Sequence, residues 1–554
     1  MKAQLRGLIA GALAKAHEAG DLASGEVPAF VVEVPRDLEH GDLASNVAML
    51  LARPEKKSPR ALADIIVRHI GDGGGVLAKV EPAGPGFLNF TLSDAAWRQR
   101  LLEIVEAGDS YGTCEIGSGQ RVQVEFCSAN PTGPLHIGHG RGAVTGDAIA
   151  RLLDAAGYEV DREYYVNDAG VQIETLGRSV LARYRELCGF EEPFPEDGYP
   201  GDYVFDLARE VLDRDGRRWL EVPKDEAVGV LARQAADRLL ENIRADLEAF
   251  GARIDHFTSE LSLRDEGRVE AAIEDLRRRG HIYEQDGATW MRTTAFDDDK
   301  DRPVVKSDGG LTYFACDIAY HREKVLKGYD RIINVWGADH HGYVSRIRGC
   351  LQALGLEPDK LRVVLVQMVS LSRDGEPVRM GKRTGEFIPL RAVVDEVGND
   401  LARFFFLSRK SDAHLDFDLE LARRQTAENP VFYVQYAHTR IAGIFRQAAE
   451  RGIDSPEPSI DAVLALSHPD EIALIKILAE FPEIVAGAAE ALEPHRVIFY
   501  AQKVAGDFHR FYAKHRCVSD DGALTAARLL LVGAVGQVIG RALRLVGIAA
   551  PERM

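Results

Sequence analysis

Cysteines are few in this sequence, and they are far apart. No two of the six are closer than 13 positions. This excludes the CxxC spacing of a zinc site and the dense pattern of a disulfide framework. We expect reduced, buried thiols and no protein-bound metal. The six are Cys114, Cys127, Cys188, Cys316, Cys350 and Cys517.

Long hydrophobic runs are also missing. The longest charge-free apolar run near the C-terminus, residues 529–540, is far shorter than the ~20 residues that a membrane span needs. Leu5, Ile9 and Leu13 have the spacing of an amphipathic helix, and Lys15 interrupts any signal-peptide core. These patterns predict a cytoplasmic protein without a membrane partner.

The chain has no excess of positive charge, with 68 Lys and Arg against 86 Asp and Glu, a net charge of −18. Nucleic-acid binding is still possible, because it requires only a local positive surface. Residues 503–516 (KVAGDFHRFYAKHR) interleave basic and aromatic side chains. This segment fits either a helix with a core aromatic face and a solvated basic face, or a nucleic-acid contact.

A chain of 554 residues is too long for one core, so we expect three domains. Residues 1–110 mix helical and strand patterns, which predicts an α+β domain. In residues 111–400 strands alternate with helices, typical of a Rossmann-like, doubly wound parallel sheet, with an insertion around 191–290. Strand signals disappear in residues 401–554, which predicts an all-α domain.

A strand-to-helix turn in residues 125–142 (EFCSANPTGPLHIGHGRG) carries two histidines. Phosphates bind where such a turn enters a helix, because the first N–H groups have no partner there. His136 and His139 share one helix face, and Gly138 lets a flat base approach the backbone. The turn is neither a Walker A loop nor a dinucleotide fingerprint. By itself an HxxH spacing could also be a structural pair.

The segment PLHIGHGR resembles the HIGH signature of class I aminoacyl-tRNA synthetases. The resemblance implies that His136, His139 and Gly138 hold the substrate ATP, with Mg²⁺ bridging its phosphates. It also implies a lysine-bearing loop, and residues 372–387 (SRDGEPVRMGKRTGEF) resemble the KMSKS loop. Met380 and Lys382 are retained there. Positions 379, 381 and 383 depart from the usual letters.

The charges suit the reaction that this class performs. A carboxylate attacks the α-phosphate of ATP and expels pyrophosphate, so catalysis depends on positioning and on stabilising phosphoryl charge. The resemblance implies that Lys382 is catalytic and that Met380 and Arg383 contact ATP. The segment VWGADHH resembles the class's strand-end turn, where Gly337 and Asp339 would contact the nucleotide and its ribose.

Several acidic and polar residues resemble the arginine pocket of arginyl-tRNA synthetases. A guanidinium is best held by carboxylates in bidentate geometry, and in this family acids and a tyrosine surround the side chain. The resemblance implies that the residues contacting arginine are Glu125, Ser128, Asn130, Tyr313, Asp317 and His340.

The resemblance extends over nearly the whole chain. Residues 39–49 and 85–90 resemble the family's N-terminal domain, and residues 435–440 with the terminal APERM resemble its helical anticodon-binding domain. The implied partners are tRNA(Arg) and L-arginine, with the protein as a monomer. The implied tRNA contacts are Tyr433, Tyr436, His438 and Arg440, although helix-core aromatics would give the same pattern.

Three alternatives remain at this stage. A nucleotidyltransferase could use the same histidine turn without tRNA, but it would not require the terminal regions. A catalytically silent binding protein could keep the fold, although the retained His136, His139 and Lys382 argue against it. A synthetase for another amino acid is the third.

Overall fold

The computed structural model describes residues 1–24, 26–35, 37–378, 388–426 and 428–554. Its N-terminal region packs helices against a four-stranded antiparallel sheet of order β1-β2-β4-β3. Helix α3 begins at a serine cap followed by a proline, a common helix start. The elements are α1 (Lys2–Glu18), β1 (Val32–Glu33), β2 (Leu43–Ser45), α2 (Val47–Glu55), α3 (Pro59–Ile70), β3 (Leu77–Ala83), β4 (Phe87–Leu92) and α4 (Asp94–Ala107).

The central region alternates strands and helices. In chain order its first elements are β5 (Arg121–Glu125), α5 (Ile137–Ala155), β6 (Glu159–Val166), α6 (Val171–Leu187), α7 (Asp202–Asp215), α8 (Lys224–Ala249), β7 (His256–Ser259), α9 (Glu260–Asp265) and α10 (Arg268–Arg278). There follow β8 (Ile282–Gln285), β9 (Ala288–Met291), β10 (Arg302–Val305), α11 (Tyr313–Leu326), β11 (Arg331–Gly337), α12 (Tyr343–Ala353), β12 (Leu361–Val366), β13 (Val369–Arg373), β14 (Glu376–Pro377) and α13 (Leu390–Val397).

Five of these strands form a parallel sheet of order β12-β11-β5-β6-β7. The chain winds from β5 to β6 and β7 on one side, and later fills the other side with β11 and β12. This is the predicted doubly wound arrangement, and its switch point lies between β5 and β11. The two strands pair in parallel, with Asn334 opposite Glu125. Both therefore end at the same edge of the sheet.

Helix α5 lies unusually close to the central strand. A Cβ added at Gly146 would come within 2.2 Å of the Phe126 side chain, so only glycine permits this approach. The neighbouring buried side chains belong to one continuous core that extends into the N-terminal and C-terminal regions. The histidine turn is thus positioned by a helix that packs closely against the central strand and the core.

The predicted insertion has structure of its own. Helices α6, α7 and α8 share a separate apolar cluster around Trp219. Strands β8, β9 and β10 form a small antiparallel sheet. The region that includes the predicted insertion therefore contains packed helices and a small antiparallel sheet.

The C-terminal region is helical except for one strand. Its elements are α14 (Asn399–Leu407), β15 (Leu415–Asp418), α15 (Leu419–Arg423), α16 (Pro430–Glu450), α17 (Ile460–Val463), α18 (Pro469–Ala479), α19 (Phe481–Ala491), α20 (His495–Lys514) and α21 (Gly522–Leu545). The predicted all-α character is confirmed from α15 onward among the described residues, whereas the unexpected strand β15 pairs in parallel with β13. Four residues are too few to give a periodic signal.

Helix α21 is long and apolar enough to cross a membrane by length and composition. The most apolar part of it is 61% buried within the fold, against α16, α20 and α4 among others. A core helix of a globular protein has these properties. All six cysteines are free thiols.

Candidate active site

The edge where β5 and β11 end carries the histidine turn. His136 is the N-cap of α5, and its Nδ1 accepts a hydrogen bond from the N–H of Gly138 at 3.1 Å. The N–H of His136 in turn donates to Nδ1 of His139 at 3.3 Å. The two rings stack with centroids 3.6 Å apart. This reciprocal cap confirms that the two histidines share one face of the first turn.

Burial favours the neutral form of both histidines. Burial lowers the pKa of His136, and burial together with the neighbouring His136 lowers the pKa of His139 to about 3. Since both Nδ1 atoms accept backbone N–H groups, each ring carries its proton on Nε2. The turn can therefore offer ring N–H donors to phosphate oxygens without adding a full charge. A Cβ at Gly138 would lie 3.0 Å from the His136 ring.

Glu125 is buried, where an ordinary strand position would leave it exposed. It is 5% exposed, and its Oε2 forms an ion pair with Nζ of Lys324. Its Oε1 accepts a hydrogen bond from Oγ of Ser128 at 2.9 Å. Both carboxylate oxygens are thus occupied, so Glu125 brings no uncompensated negative charge to the cleft.

The backbone after β5 is held in an unfavourable conformation. Cys127 and Ser128 have φ values of +71° and +30°, which non-glycine residues rarely adopt. Oγ of Ser128 also accepts a hydrogen bond from the N–H of Tyr165 on the next strand at 3.0 Å. Two consecutive strained residues, the second of them fixed by side-chain hydrogen bonds, are typical of a functional site. Asn130, two residues on, donates to Gln172 at 2.5 Å.

Asp317 lies on α11, and its charge depends on its surroundings. Its Oδ2 accepts a hydrogen bond from the hydroxyl of Tyr343 at 2.5 Å. Burial, with smaller effects of Glu260 and Glu125, raises the pKa of Asp317 to about 7 despite that hydrogen bond. A cationic ligand beside this carboxyl would favour its charged form.

Tyr313 stands one helical turn before Asp317. Its side chain is 47% exposed, and its hydroxyl is 3.5 Å from where a Cβ of Gly170 would be. Gly170 follows β6, which pairs with β5. Tyr313 therefore faces the loops at the carboxyl edge of the sheet, open to solvent.

The turn after β11 is exposed at the same edge. Gly337, Asp339 and His340 are all exposed, and the ring of His340 lies 6.1 Å from that of Trp336. Asp339 and His340 approach each other at 3.6 Å. Residues 379–387 fall outside the described ranges, so the predictions on Met380, Lys382 and Arg383 lie outside them too.

Comparison with known proteins shows the family to which the chain belongs. Three family models match: an arginyl tRNA synthetase N-terminal domain (residues 3–92), a catalytic domain of class I tRNA synthetases (R) (101–413) and a DALR anticodon binding domain (434–554). A Geobacter protein named arginine–tRNA ligase is 54% identical, and the match covers 100% of both chains. The chain belongs to the arginyl-tRNA synthetases.

Solved structures of arginyl-tRNA synthetases share the fold. A Campylobacter jejuni structure assigned to this family is 36% identical over 84% of this chain and 100% of that one, with a TM-score of 0.77. The Thermus thermophilus enzyme is 23% identical, with 100% of both chains covered and a TM-score of 0.75. Family membership carries the activity that defines arginyl-tRNA synthetases, the ATP-dependent ligation of arginine to tRNA.

Two residues of this synthetase site were not predicted from sequence. Lys324 is 1% exposed at its side chain and contacts Glu125, Asn334 and the Tyr320 ring. It follows Asp317 by seven positions, so both lie on one face of α11, and that spacing could have suggested it. Tyr343, whose hydroxyl donates a hydrogen bond to Asp317, lies in a sequence segment with no pattern that indicates this role.

The predicted tRNA contacts of this synthetase lie on α16, and their side chains make different kinds of contact. The guanidinium of Arg440 stacks on the rings of Tyr436 and Tyr512, 4.5 and 5.0 Å from their centroids. Tyr433 packs on His509 with centroids 4.6 Å apart. Nδ1 of His438 contacts the carbonyl of Pro551 at 3.0 Å. His438 therefore holds the C-terminal tail, whereas Arg440 and its two tyrosines form a cation–aromatic surface.

The basic segment 503–516 lies largely on α20, and part of its aromatic face is packed into the core. Phe508 and Phe511 on α20 are buried. Three of the four lysines and arginines in the segment are paired with nearby acids, which lowers their value for binding phosphate. The pairs are Lys503–Glu480, Arg510–Asp507 and Lys514–Asp470.

One cluster among the described residues has the spacing of metal ligands: His468, Asp470 and His515. Its groups already have partners, however. Nδ1 of His468 accepts the N–H of Asp470 at the start of α18, and Asp470 contacts His515 and the Lys514 ammonium at 2.9 and 3.3 Å. Helix capping and ion pairing account for the arrangement.

Proposed function

We propose that the edge formed by β5, β11 and α11 activates L-arginine with ATP and transfers it to the 3′-terminal ribose of tRNA(Arg). The observation that carries this assignment is the carboxyl of Asp317, which is near enough to Glu125 at the end of β5 to be influenced by its charge, while the histidine turn follows the same strand. The Asp317 carboxyl suits a planar cation, and the histidine turn suits phosphate oxygens. Together they suit an adenylate of a basic amino acid.

In the first step, the carboxylate of arginine attacks the α-phosphorus of ATP, and the bond to pyrophosphate breaks. His136 and His139 donate ring N–H groups to phosphate oxygens, and Gly138 keeps the approach open. Lys382 stabilises the leaving pyrophosphate, with Met380 and Arg383 beside the nucleotide. Mg²⁺ would accompany the ATP and supply positive charge to its phosphates, with few ligands from the protein.

The turn after β11 binds the rest of the nucleotide. Gly337 approaches the adenosine, and Asp339 accepts hydrogen bonds from the ribose hydroxyls. Their exposure at the switch point supports this assignment. In the second step, the terminal 2′-hydroxyl of tRNA attacks the activated carbonyl and AMP leaves.

Arginine lies along the pocket from β5 to α11. Asp317 and Tyr313 face the guanidinium. Glu125, Ser128, Asn130 and His340 face the α-amino and carboxylate ends. The pairing of Glu125 with Lys324 supports this division, because it leaves Asp317 as the carboxylate with spare charge.

ATP–pyrophosphate exchange with each of the twenty amino acids, with and without tRNA, tests the proposal. We expect exchange with arginine alone and rejection of citrulline, whose uncharged side chain would leave a buried carboxylate unpaired. Exchange with any other amino acid at a comparable rate would contradict the arginine assignment. Exchange with none, in either condition, would contradict the proposed site.

The pH dependence of arginine activation should follow Asp317. Since its pKa is about 7 and only the charged form binds a guanidinium well, kcat/KM for arginine should fall about tenfold per pH unit below 7 and level off above it. Tyr343→Phe removes the hydrogen bond that lowers this pKa, so the inflection should move to higher pH. A profile without an inflection between pH 6 and 8 would contradict this role.

Arg440 should contribute to tRNA affinity. Single-stranded bases stack on aromatic rings and arginine planes, so Arg440→Gln should raise KM for tRNA about five- to tenfold and reduce its salt dependence by about one charge. The matched control is Arg451→Gln, at the far end of the same helix, which should change KM less than twofold. Equal effects of the two variants would count against the cation–aromatic surface.

The remaining assignments are proposals of the same kind. We propose domains at residues 1–110, 111–400 with the insertion at 191–290, and 401–554. Three family matches with limits near these support them. We also propose a cytoplasmic monomer without a membrane partner.

A further inference from the structure

Arg141 is fully buried in the second turn of α5, directly after the histidine turn. Its side chain is among the largest in the protein with no exposed surface. Nη1 donates to the carbonyls of Gln367 and Ala413, both at 2.8 Å, and Nη2 donates to that of Lys410 at 3.0 Å. The guanidinium is thus fixed by three carbonyl groups from two separate segments.

These segments form the base of one hairpin. Gln367 is the bend between β12 and β13, and its N–H donates to the carbonyl of Ser411 at 2.8 Å. The 410–413 loop leads into β15, which pairs with β13. The hairpin β13–β14 therefore rises from a base whose carbonyls converge on Arg141.

The chain returns to the histidine turn after the hairpin. The N–H of Leu390 donates to the carbonyl of Leu135 at 2.7 Å, and Pro389 forms a bridge with His136. Lys382 lies in sequence between the hairpin and this return. The chain on both sides of Lys382 is therefore fastened to the start of α5.

We propose that Arg141 is a positioning residue for arginine activation, which fixes the base of the β13–β14 hairpin against the histidine turn. This inference rests on the proposed role of Lys382: Arg141 holds the described chain that flanks residues 379–387 in place against the histidine turn. It touches no substrate. A shift of about 1 Å in such groups can cost about a hundredfold in rate, so its effect falls on kcat rather than on arginine binding.

Two substitutions test this in ATP–pyrophosphate exchange with the full chain. Arg141→Lys keeps the charge but cannot reach three carbonyls, and Arg141→Gln keeps two N–H donors without charge. Both should lower kcat about 10- to 100-fold and leave KM for arginine within twofold. Arg403→Lys is the matched control, since Arg403 is equally buried and also donates to two carbonyls, of Phe250 and Val546. It should lower the Tm but keep kcat within twofold.

The double variant Arg141→Lys/Lys382→Ala separates this inference from the proposed function. If Arg141 acts through Lys382, the double variant should be no slower than Lys382→Ala alone. Multiplied losses would overturn the inference and leave Lys382 catalytic. An active Lys382→Ala would instead overturn the role of Lys382. Variants at Arg141 that keep kcat, or that lose arginine binding together with the fold, would show a structural role only and overturn the inference.

Discussion

Asp317→Asn should lower kcat/KM for arginine about a thousandfold, mainly through KM. Removing one partner of a desolvated charge pair costs about 2–5 kcal/mol, and each ~1.4 kcal/mol is a factor of ten. Asparagine keeps the size of the side chain, so the loss reports charge rather than a cavity. The measurements are arginine-dependent pyrophosphate exchange and calorimetric titration with arginine.

The size of this effect follows from the neighbours of Asp317. The oxygens of Glu125 are taken by Lys324 and Ser128, so Glu125 cannot replace the lost carboxylate. The substitution should also abolish the pH inflection that Asp317 produces near 7, because an asparagine side chain does not ionise there. Loss of affinity and loss of the inflection must therefore appear together.

Glu323→Gln is the matched control for Asp317→Asn. Glu323 lies on the same helix but pairs with Arg268 and Arg322, so its neutralisation should change KM for arginine less than twofold. If Asp317→Asn kept KM within threefold, Asp317 would not be the counterion of the guanidinium. In that case Glu260, which is buried nearby and influences the pKa of Asp317, would be the next candidate for the counterion.

The features of this site that could be predicted from the sequence depend on residues that are close together along the chain. The histidine cap depends on residues three positions apart, and the strand-to-helix turn needs only a β run, a proline-containing loop and a helix start. The parallel sheet followed from alternation of strands and helices over a long stretch. Each of these features corresponds to a short or regularly repeated sequence pattern, and such a pattern can be recognised without a structure.

The parts that escaped prediction depend on distant residues. Lys324 and Glu125 are 199 positions apart. No local sequence pattern indicates that the lysine will neutralise the carboxylate. The raised pKa of Asp317 arises from burial by several elements. Strand β15 forms because β13 offers it an edge. Each is a tertiary effect that overrides local preference.

A second large effect is expected for stability, at the ion pair of Asp147 with Arg403. Both side chains are buried, at 1% and 0% exposure. Asp147 also accepts from Nε of Arg151 at 2.7 Å. Arg403 on α14 reaches the carbonyls of Phe250 and Val546 at 2.9 and 3.0 Å. The pair thus joins α5 to the start of the C-terminal region and to its last helix.

Asp147→Ala should lower the free energy of unfolding by about 3–5 kcal/mol, because it leaves the Arg403 charge buried without its partner. Urea unfolding at constant m-value measures the change. Asp395→Ala, which breaks an exposed pair with Arg391, should cost below about 0.5 kcal/mol.

The double variant Asp147→Leu/Arg403→Met decides which physical effect dominates at this ion pair. If the cost of Asp147→Ala comes from an uncompensated charge, removing both charges should restore much of the stability, since apolar side chains of similar volume often replace a buried pair without loss. If the cost comes from lost attraction, the double variant should be at least as unstable as Asp147→Ala. Because Arg403 also satisfies two carbonyls, recovery should be partial.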